Sequence, residues 1–405
     1  MHAFLTDWRL AWYPRCVLFA LFMGFVIVVF TGTGAETLTG RLGGDFPAFY
    51  GIGRLVAHDE GKSLYDPARQ SQFQKDLFPE GDSGYLPFTY PPFVALAYAP
   101  LSLVNYRIAY VLHTFLLFAA LSLAIQFIRP ANKFVDRHYV CAFTLALTFY
   151  PMFRAVFSSL NTSVSLLLIV CAWRAVSSDL EWLAGVMLGL LLFKPQFAVP
   201  LIGLHVLQGR WRVGLGSLLT AGILYAVSAW VSGLFWITDW MKHTWWHYQI
   251  DTTLSYANSV SWLGFLEAVI GPGHLSTLAI GWSMNFLTAA GVAGIWIKGG
   301  RRMNPALLFA AAMPPLVLMP PHVMYYDMGL LLFTYAVFLE EDTLKNKGLF
   351  VGSVWLFSFS QIWGSNLGFS PIFFLLIFTG LFVLYSRKPV FDKQRGVTAM
   401  KRRMF

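Results

Sequence analysis

Apolar runs of membrane-span length recur from one end of this chain to the other, and no other feature limits its fold as strongly. They fall at about 16–32, 107–128, 139–157, 163–177, 182–208, 213–235, 275–297, 304–319, 323–340, 348–364 and 369–386. A spanning helix needs about 20 apolar residues. Backbone in lipid must satisfy its hydrogen bonds internally, so runs of this kind become helices. Composition agrees: 57% of the 405 residues are hydrophobic and 12% charged, against about 25% charged in ordinary soluble domains. That excludes a disordered chain, a disulfide-stapled secreted module and an ordinary cytosolic enzyme. The expectation is one all-α integral membrane domain over 1–405, a polytopic bundle of about 12 transmembrane helices within a range of about 10 to 13.

The formal net charge is +9, but the basic residues do not form a nucleic-acid surface. They sit between apolar runs: Arg9 and Arg15, Arg129 to Arg137, Arg210 and Arg212, Lys298 to Arg302, Lys345 and Lys347, and the basic tail at 387–405. Loops retained in the cytoplasm carry such residues. Both termini are therefore expected inside, with an uncleaved first span rather than a signal peptide ending near Thr33-Gly34-Ala35. Two stretches leave the span count open. Residues 91–104 are short for a crossing, and 182–208 hold Lys194-Pro195 near their middle, giving one kinked span or two half-spans. Two longer loops, 33–90 and 236–274, are expected to face outward and to carry amphipathic helices. Cys16, Cys141 and Cys171 all lie in apolar runs, so cysteine chemistry and disulfides are not expected.

No nucleotide signature is present. Gly32-Thr33-Gly34 and Gly51-Ile52-Gly53 stop short of GxGxxG, and no HExxH or Cys/His cluster calls for a metal. The expectation is no cofactor and no metal. Asp45, in Gly43-Gly44-Asp45-Phe46-Pro47-Ala48-Phe49-Tyr50, follows two turn-forming glycines. Its carboxylate can act as a general base on an acceptor hydroxyl or cap a helix, and the sequence leaves both open. Lys194 is costly inside an apolar run; it either meets a lipid phosphate or snorkels to water. Pro320-Pro321-His322-Val323-Met324-Tyr325-Tyr326-Asp327 opens a run in which His322, Asp327 and the two tyrosines, Tyr325 and Tyr326, can wall a polar pocket, or Asp327 can merely cap a helix and the tyrosines lie at an interface. Asn161 can bond a sugar hydroxyl or simply make a turn, and Arg154 can neutralise phosphate. Trp245, Trp246 and His247 offer faces on which sugars stack, although an interfacial aromatic belt looks the same. Tyr90-Pro91-Pro92-Phe93 reads best as the start of a helix.

In order along the chain, these motifs resemble glycosyltransferase family 87, polyprenol-phosphate-dependent mannosyltransferases of the GT-C superfamily. The likeness rests on Gly43 to Tyr50, Leu64-Tyr65-Asp66, Tyr90-Pro91-Pro92-Phe93, Ala99-Pro100-Leu101, Leu160-Asn161-Thr162-Ser163, Ala184-Gly185, Lys194-Pro195-Gln196 and Pro321 to Asp327. Asn161 stands where relatives often have Gln. The resemblance implies a GT-C-type bundle in the bacterial inner (plasma) membrane, with its active site on the periplasmic or extracellular side. It implies an inverting transfer of a hexose, mannose above all, from a polyprenyl-phosphate sugar to a hydroxyl of a lipid or glycan acceptor. Asp45 is then the catalytic base. Lys194, Arg154 and His322 bind the donor phosphate, and Asp327, Asn161, Tyr326, Trp245, Trp246 and His247 bind substrate.

A different class competes: a transporter or flippase in which Lys194 and Asp327 form a coupling pair. It calls for internal repeats and ionisable residues deep in several spans, which the sequence lacks. A non-catalytic member that binds polyprenyl lipid would be favoured by loss of Asp45, and Asp45 is present. Membrane lipid is the expected surround, and the sequence sets neither sugar, acceptor nor oligomeric state.

Overall fold

The computed structural model describes residues 7–31, 42–78, 86–254, 256–340 and 347–385. Among them the fold is all helical, without a strand; Ser259 and Met324 form an isolated antiparallel bridge. Parts of the first long loop (33–41 and 79–85), Lys345 and the basic tail lie outside the described residues.

The chain begins with α1 (Asp7–Thr31). Two helices follow in the first long loop, α2 (Phe46–Ala57) and α3 (Pro67–Leu77). Asp66 caps α3 by accepting from the Ala68 N–H, and Pro67 needs no donor at the first turn. The apolar stretch 91–104 yields only α4 (Pro92–Tyr98) and a 3-10 turn at Pro100–Leu103, too short to cross a bilayer. Asn105 then caps α5 (Tyr106–Ile128), which leads to α6 (Lys133–Arg137). α7 (Tyr139–Thr148) and α8 (Tyr150–Phe157) meet at 79°, where Phe149 is extended and Pro151 starts the new helix. Then come α9 (Thr162–Ser177), α10 (Glu181–Leu190), α11 (Pro195–Leu207) and α12 (Trp211–Ser232). The second long loop folds as α13 (Trp236–Leu254) and α14 (Trp262–Ile270). The rest is α15 (Leu275–Gly299), α16 (Pro305–Leu318), α17 (Leu331–Glu340), α18 (Lys347–Ser358), α19 (Gly364–Leu367) and α20 (Phe373–Tyr385).

Among the described residues, three helices are long and apolar enough to cross a membrane: Tyr106–Ala131, Trp211–Ser232 and Leu275–Gly299. The bent pair α7–α8 makes a fourth if it counts as one span. The chain is thus an integral membrane protein, in which three or four helices among the described residues have full span length, against the expected about 12 transmembrane helices that included two half-spans from 182–208. Several other apolar runs give shorter apolar helices of 10 to 17 residues among the described residues. The run 304–319 gives a 14-residue helix, and 323–340 opens as a 3-10 turn at Tyr325–Leu330 before ten residues of α17.

The run 182–208 resolves as two half-length helices. α10 ends in a 3-10 turn at Leu191–Phe193, and α11 restarts at Pro195. Glu181 at the start of α10 accepts from Arg210, just past the end of α11, at 2.9 Å. The pair therefore enters and returns at the same end of α12, with Lys194 at its tip. Lipid offers no hydrophobic drive between helices, so close approach and hydrogen bonds must hold them. A Cβ on Gly185 would lie 2.4 Å from the Val213 carbonyl oxygen, and one on Gly189 2.5 Å from Thr220 Cβ. Ser217 donates to the Gly185 carbonyl at 3.0 Å. Small residues thus seat α10 on α12 and fix where the tip sits.

Candidate active site

The Gly43-Gly44 turn aims Asp45. Both glycines are left-handed, at φ +94° and +58°, which glycine reaches without steric cost. A Cβ on Gly44 would lie 2.7 Å from Ser158 Cβ, and the Asp45 N–H donates to the Ser158 carbonyl at 3.2 Å. The turn is therefore seated on the chain leaving α8. Asp45 occupies the N-cap position of α2, yet its side chain makes no capping hydrogen bond. The carboxylate instead lies within electrostatic reach of Arg154 on α8 and of Tyr90 and Tyr98.

Lys194 does not snorkel. Its Nζ donates to Asp327 Oδ1 at 2.6 Å, and each side chain is only 5% exposed. Thr162 Oγ1, in the first turn of α9, donates to the same oxygen at 2.8 Å. The ammonium also lies 5.8 Å from the Tyr326 ring and 5.6 Å from that of Phe197, within the range of a cation–π attraction. A buried charge must be paired to persist, and here the tip of a helical hairpin, a helix start and a 3-10 turn supply the pair together.

Arg154 Nε donates to the Tyr325 hydroxyl at 3.1 Å, and the Tyr325 ring stacks on Tyr150 at 6.1 Å. Asn161 is buried and accepts from the Tyr98 hydroxyl at 3.0 Å, while that oxygen lies 2.8 Å from His113 Nε2. With the Tyr98 proton directed to Asn161, His113 donates from Nε2, leaving its buried Nδ1 without a protein partner. Tyr90 carries a hydroxyl pushed well above the phenol range by burial, with Asp45 and then Asp327 adding to the shift. It stays protonated between two carboxylates and remains a donor.

The second loop meets the first. Trp240 Nε1 donates to the Thr89 carbonyl at 2.8 Å, Tyr65 donates to the Tyr90 carbonyl at 2.8 Å, and the Tyr65 ring lies 5.7 Å from His243. Burial, and then His247, pushes His243 down to about 4, so this imidazole is neutral at pH 7. Trp245 and Trp246 are exposed and pair with Tyr248 and His243. His322 rests beside His247 and Tyr248, with centroids at 6.3 and 6.2 Å. The Val260 N–H donates to the Val323 carbonyl at 2.9 Å, and Ser261 Oγ to the Pro321 carbonyl at 3.1 Å, which ties this loop to the Pro321–Asp327 segment.

The expected residues thus fall into two groups. Asp45, Arg154, Asn161, Lys194, Tyr326 and Asp327 converge with Tyr90, whereas Trp245, Trp246, His247 and His322 form an aromatic face on the second loop. Among the described residues, no group of three His, Cys, Asp or Glu side chains could hold a metal. Thr162, Tyr98 and His113 were not expected at the site. His113 carried a usable signal, since it is a lone ionisable group in an apolar run, as Lys194 is.

The model of glycosyltransferase family 87 matches residues 88–340, more than half of the chain. The chain belongs to glycosyltransferase family 87. Arg154, Asn161, Lys194, His322 and Asp327 lie inside the matched segment and Asp45 lies before it. Neither a curated protein nor a solved structure matches. Family membership makes this a helical membrane glycosyltransferase, with a sugar donor and an acceptor as substrates.

Proposed function

We propose that the protein is an inverting hexosyltransferase of GT-C type, moving mannose from a polyprenyl-phosphate donor to a hydroxyl of a lipid or glycan acceptor at the outer face of the membrane. The observation that carries this reading is one carboxylate at a glycine turn, Asp45, within electrostatic reach of the cation Arg154 and of Tyr90, a tyrosine that Asp327, the partner of Lys194, also reaches. Inverting transfer needs one base and an anion-stabilising set.

Asp45 accepts the proton of the acceptor hydroxyl as its oxygen attacks the anomeric carbon. The bond from that carbon to the phosphate oxygen breaks, and its electron pair leaves with the lipid phosphate. Arg154 and Lys194 meet the developing charge, and the neutral Tyr90 hydroxyl donates a hydrogen bond nearby. Asp327 holds Lys194 in place before donor binds and shares it afterwards. Asn161, oriented by Tyr98, and Tyr326 position the sugar. Trp245, Trp246, His247 and His322 form the outer rim against which the acceptor or the headgroup rests. The short apolar helices complete a bundle whose termini are cytoplasmic, in an inner (plasma) membrane.

The test is transfer of radiolabelled mannose from polyprenyl-phosphate mannose into a membrane lipid extract by the purified full-length protein, with Asp45→Asn as the comparison. Loss of at least about 1,000-fold in the isosteric variant, with unchanged folding, is the expected result; equal transfer would remove Asp45 from the mechanism. The buried Lys194–Asp327 pair also suits a coupled transporter. Flux of the same lipid across proteoliposomes, without any transfer, would favour that second reading.

A further inference from the structure

A polar cleft lies on the first loop, at the far end of α2 from Asp45. It encloses about 270 Å³ and is lined by Arg54, His58, Glu60, Arg69, Phe73 and Asp76, with Leu77 beside them. Arg69 grips Glu60 through two hydrogen bonds, Nε to Oε2 at 2.7 Å and Nη2 to Oε1 at 2.6 Å, a rigid bidentate wall. That guanidinium holds the Glu60 carboxyl below the usual carboxylate range. Arg54 lies 5.4 Å from the Phe73 ring, and His58 Nδ1 lies 2.9 Å from the Arg54 carbonyl. Asp76 accepts from Gln72 at 2.9 Å and keeps further acceptor capacity.

We infer that this cleft is a subsite for a neutral, polyhydroxylated group, the distal sugar of an acceptor longer than one unit; the inference rests on the proposed glycosyl transfer. Charge balance makes the chemical choice. Two guanidiniums face two carboxylates, so a phosphate or carboxylate ligand would meet Glu60 and Asp76 as well as Arg54 and Arg69. A sugar hydroxyl both donates and accepts, and such a mixed wall satisfies both roles. Leu77 and Phe73 supply the apolar side that a pyranose ring also has. The volume is near the lower end of small-ligand pockets, about 300 Å³, which suits a single sugar rather than a chain.

Position makes the second argument. α2 has 12 residues and is therefore about 18 Å long, so the cleft is out of reach of the sugar being attacked at Asp45. It lies on the same face of the protein, however. Gly61, next to Glu60, packs against the Val231 carbonyl at the end of α12 remote from Arg210, and Phe93, just after Tyr90, donates to Ser228 at that end. An acceptor of several units can thus hold its attacked hydroxyl at Asp45 and a distal ring in the cleft.

The experiment uses the full chain in detergent, polyprenyl-phosphate mannose as donor, and two acceptors, octyl α-mannoside and octyl α-mannotrioside. Wild type is compared with Arg54→Ala and Asp76→Asn. The expected result is a KM for the trioside raised about 10-fold with kcat unchanged, and an unaltered KM for the monoside. Equal shifts for both acceptors, or none for either, would overturn the subsite. Direct binding of free mannotriose, read by ligand-observed NMR, separates the two proposals. Binding that Arg54→Ala abolishes supports the cleft even if no transfer is detected, and no binding by wild type overturns the cleft even if transfer proceeds.

Discussion

At the residue scale the molecule turns on the Lys194–Asp327 pair. Removing one partner of a buried pair leaves an uncompensated charge and costs about 3–5 kcal/mol, whereas replacing both with apolar groups is often neutral. Lys194→Met and Asp327→Leu are each expected to lower the melting temperature in detergent sharply, and the double variant to recover most of it. Thr162→Val removes one donor to Asp327 and is expected to cost about 1 kcal/mol. Transfer activity separates structure from function here. If Lys194 meets the donor phosphate, the double variant folds but stays inactive; a double variant that is both stable and active would reduce the pair to a structural peg.

At the element scale, the Gly43-Gly44 turn determines where α2 begins and hence where Asp45 points. Gly44→Ala would place a Cβ 2.7 Å from Ser158 Cβ, at φ +58°. Gly209 offers a control, because it too has positive φ, +75°, but open space where a Cβ would go. Both substitutions are expected to cost about 1 kcal/mol in backbone strain. Only Gly44→Ala is expected to lower kcat, by about 100-fold, because an ångström of misplacement at the reacting group has that scale of effect; steady-state kinetics on the two variants checks this. The same scale shows what could be read from the chain alone. The apolar runs announced helices, and Lys194 announced itself by its cost. The Lys194–Asp327 pairing was named only under the transporter reading and the Arg154–Tyr325 contact not at all, because Asp327 lies 133 residues from Lys194 and Tyr325 lies 171 from Arg154. Helix lengths were hidden as well. Apolarity continues through Pro195 and Pro321, so hydropathy merges segments that backbone chemistry separates, and a count of runs overstates the number of full spans among the described residues.

At the scale of the whole molecule, the decisive quantity is depth. α12 has 22 residues and is about 33 Å long, enough to cross a hydrocarbon core of about 30 Å. One end carries Arg210, held by Glu181, which also pairs with Arg301 of the segment after α15. The other end meets Gly61 of the first loop and Phe93 of α4. α10 runs alongside α12 from the Arg210 end, and with its 3-10 turn rises about 20 Å before the chain turns at Lys194. The pair with Asp327 thus lies about two-thirds of the way along α12, nearer the first-loop end. Basic residues favour the cytoplasmic side, so the Arg210 end is expected inside and the first loop outside. In a background with Cys16, Cys141 and Cys171 replaced by serine, Lys62→Cys is expected to react with a membrane-impermeant maleimide in intact cells. Ser178→Cys is expected to react only after permeabilisation. The opposite labelling would put Asp45 on the cytoplasmic side, where nucleotide sugars are at hand, and the argument for a lipid-linked donor would lose its physical basis.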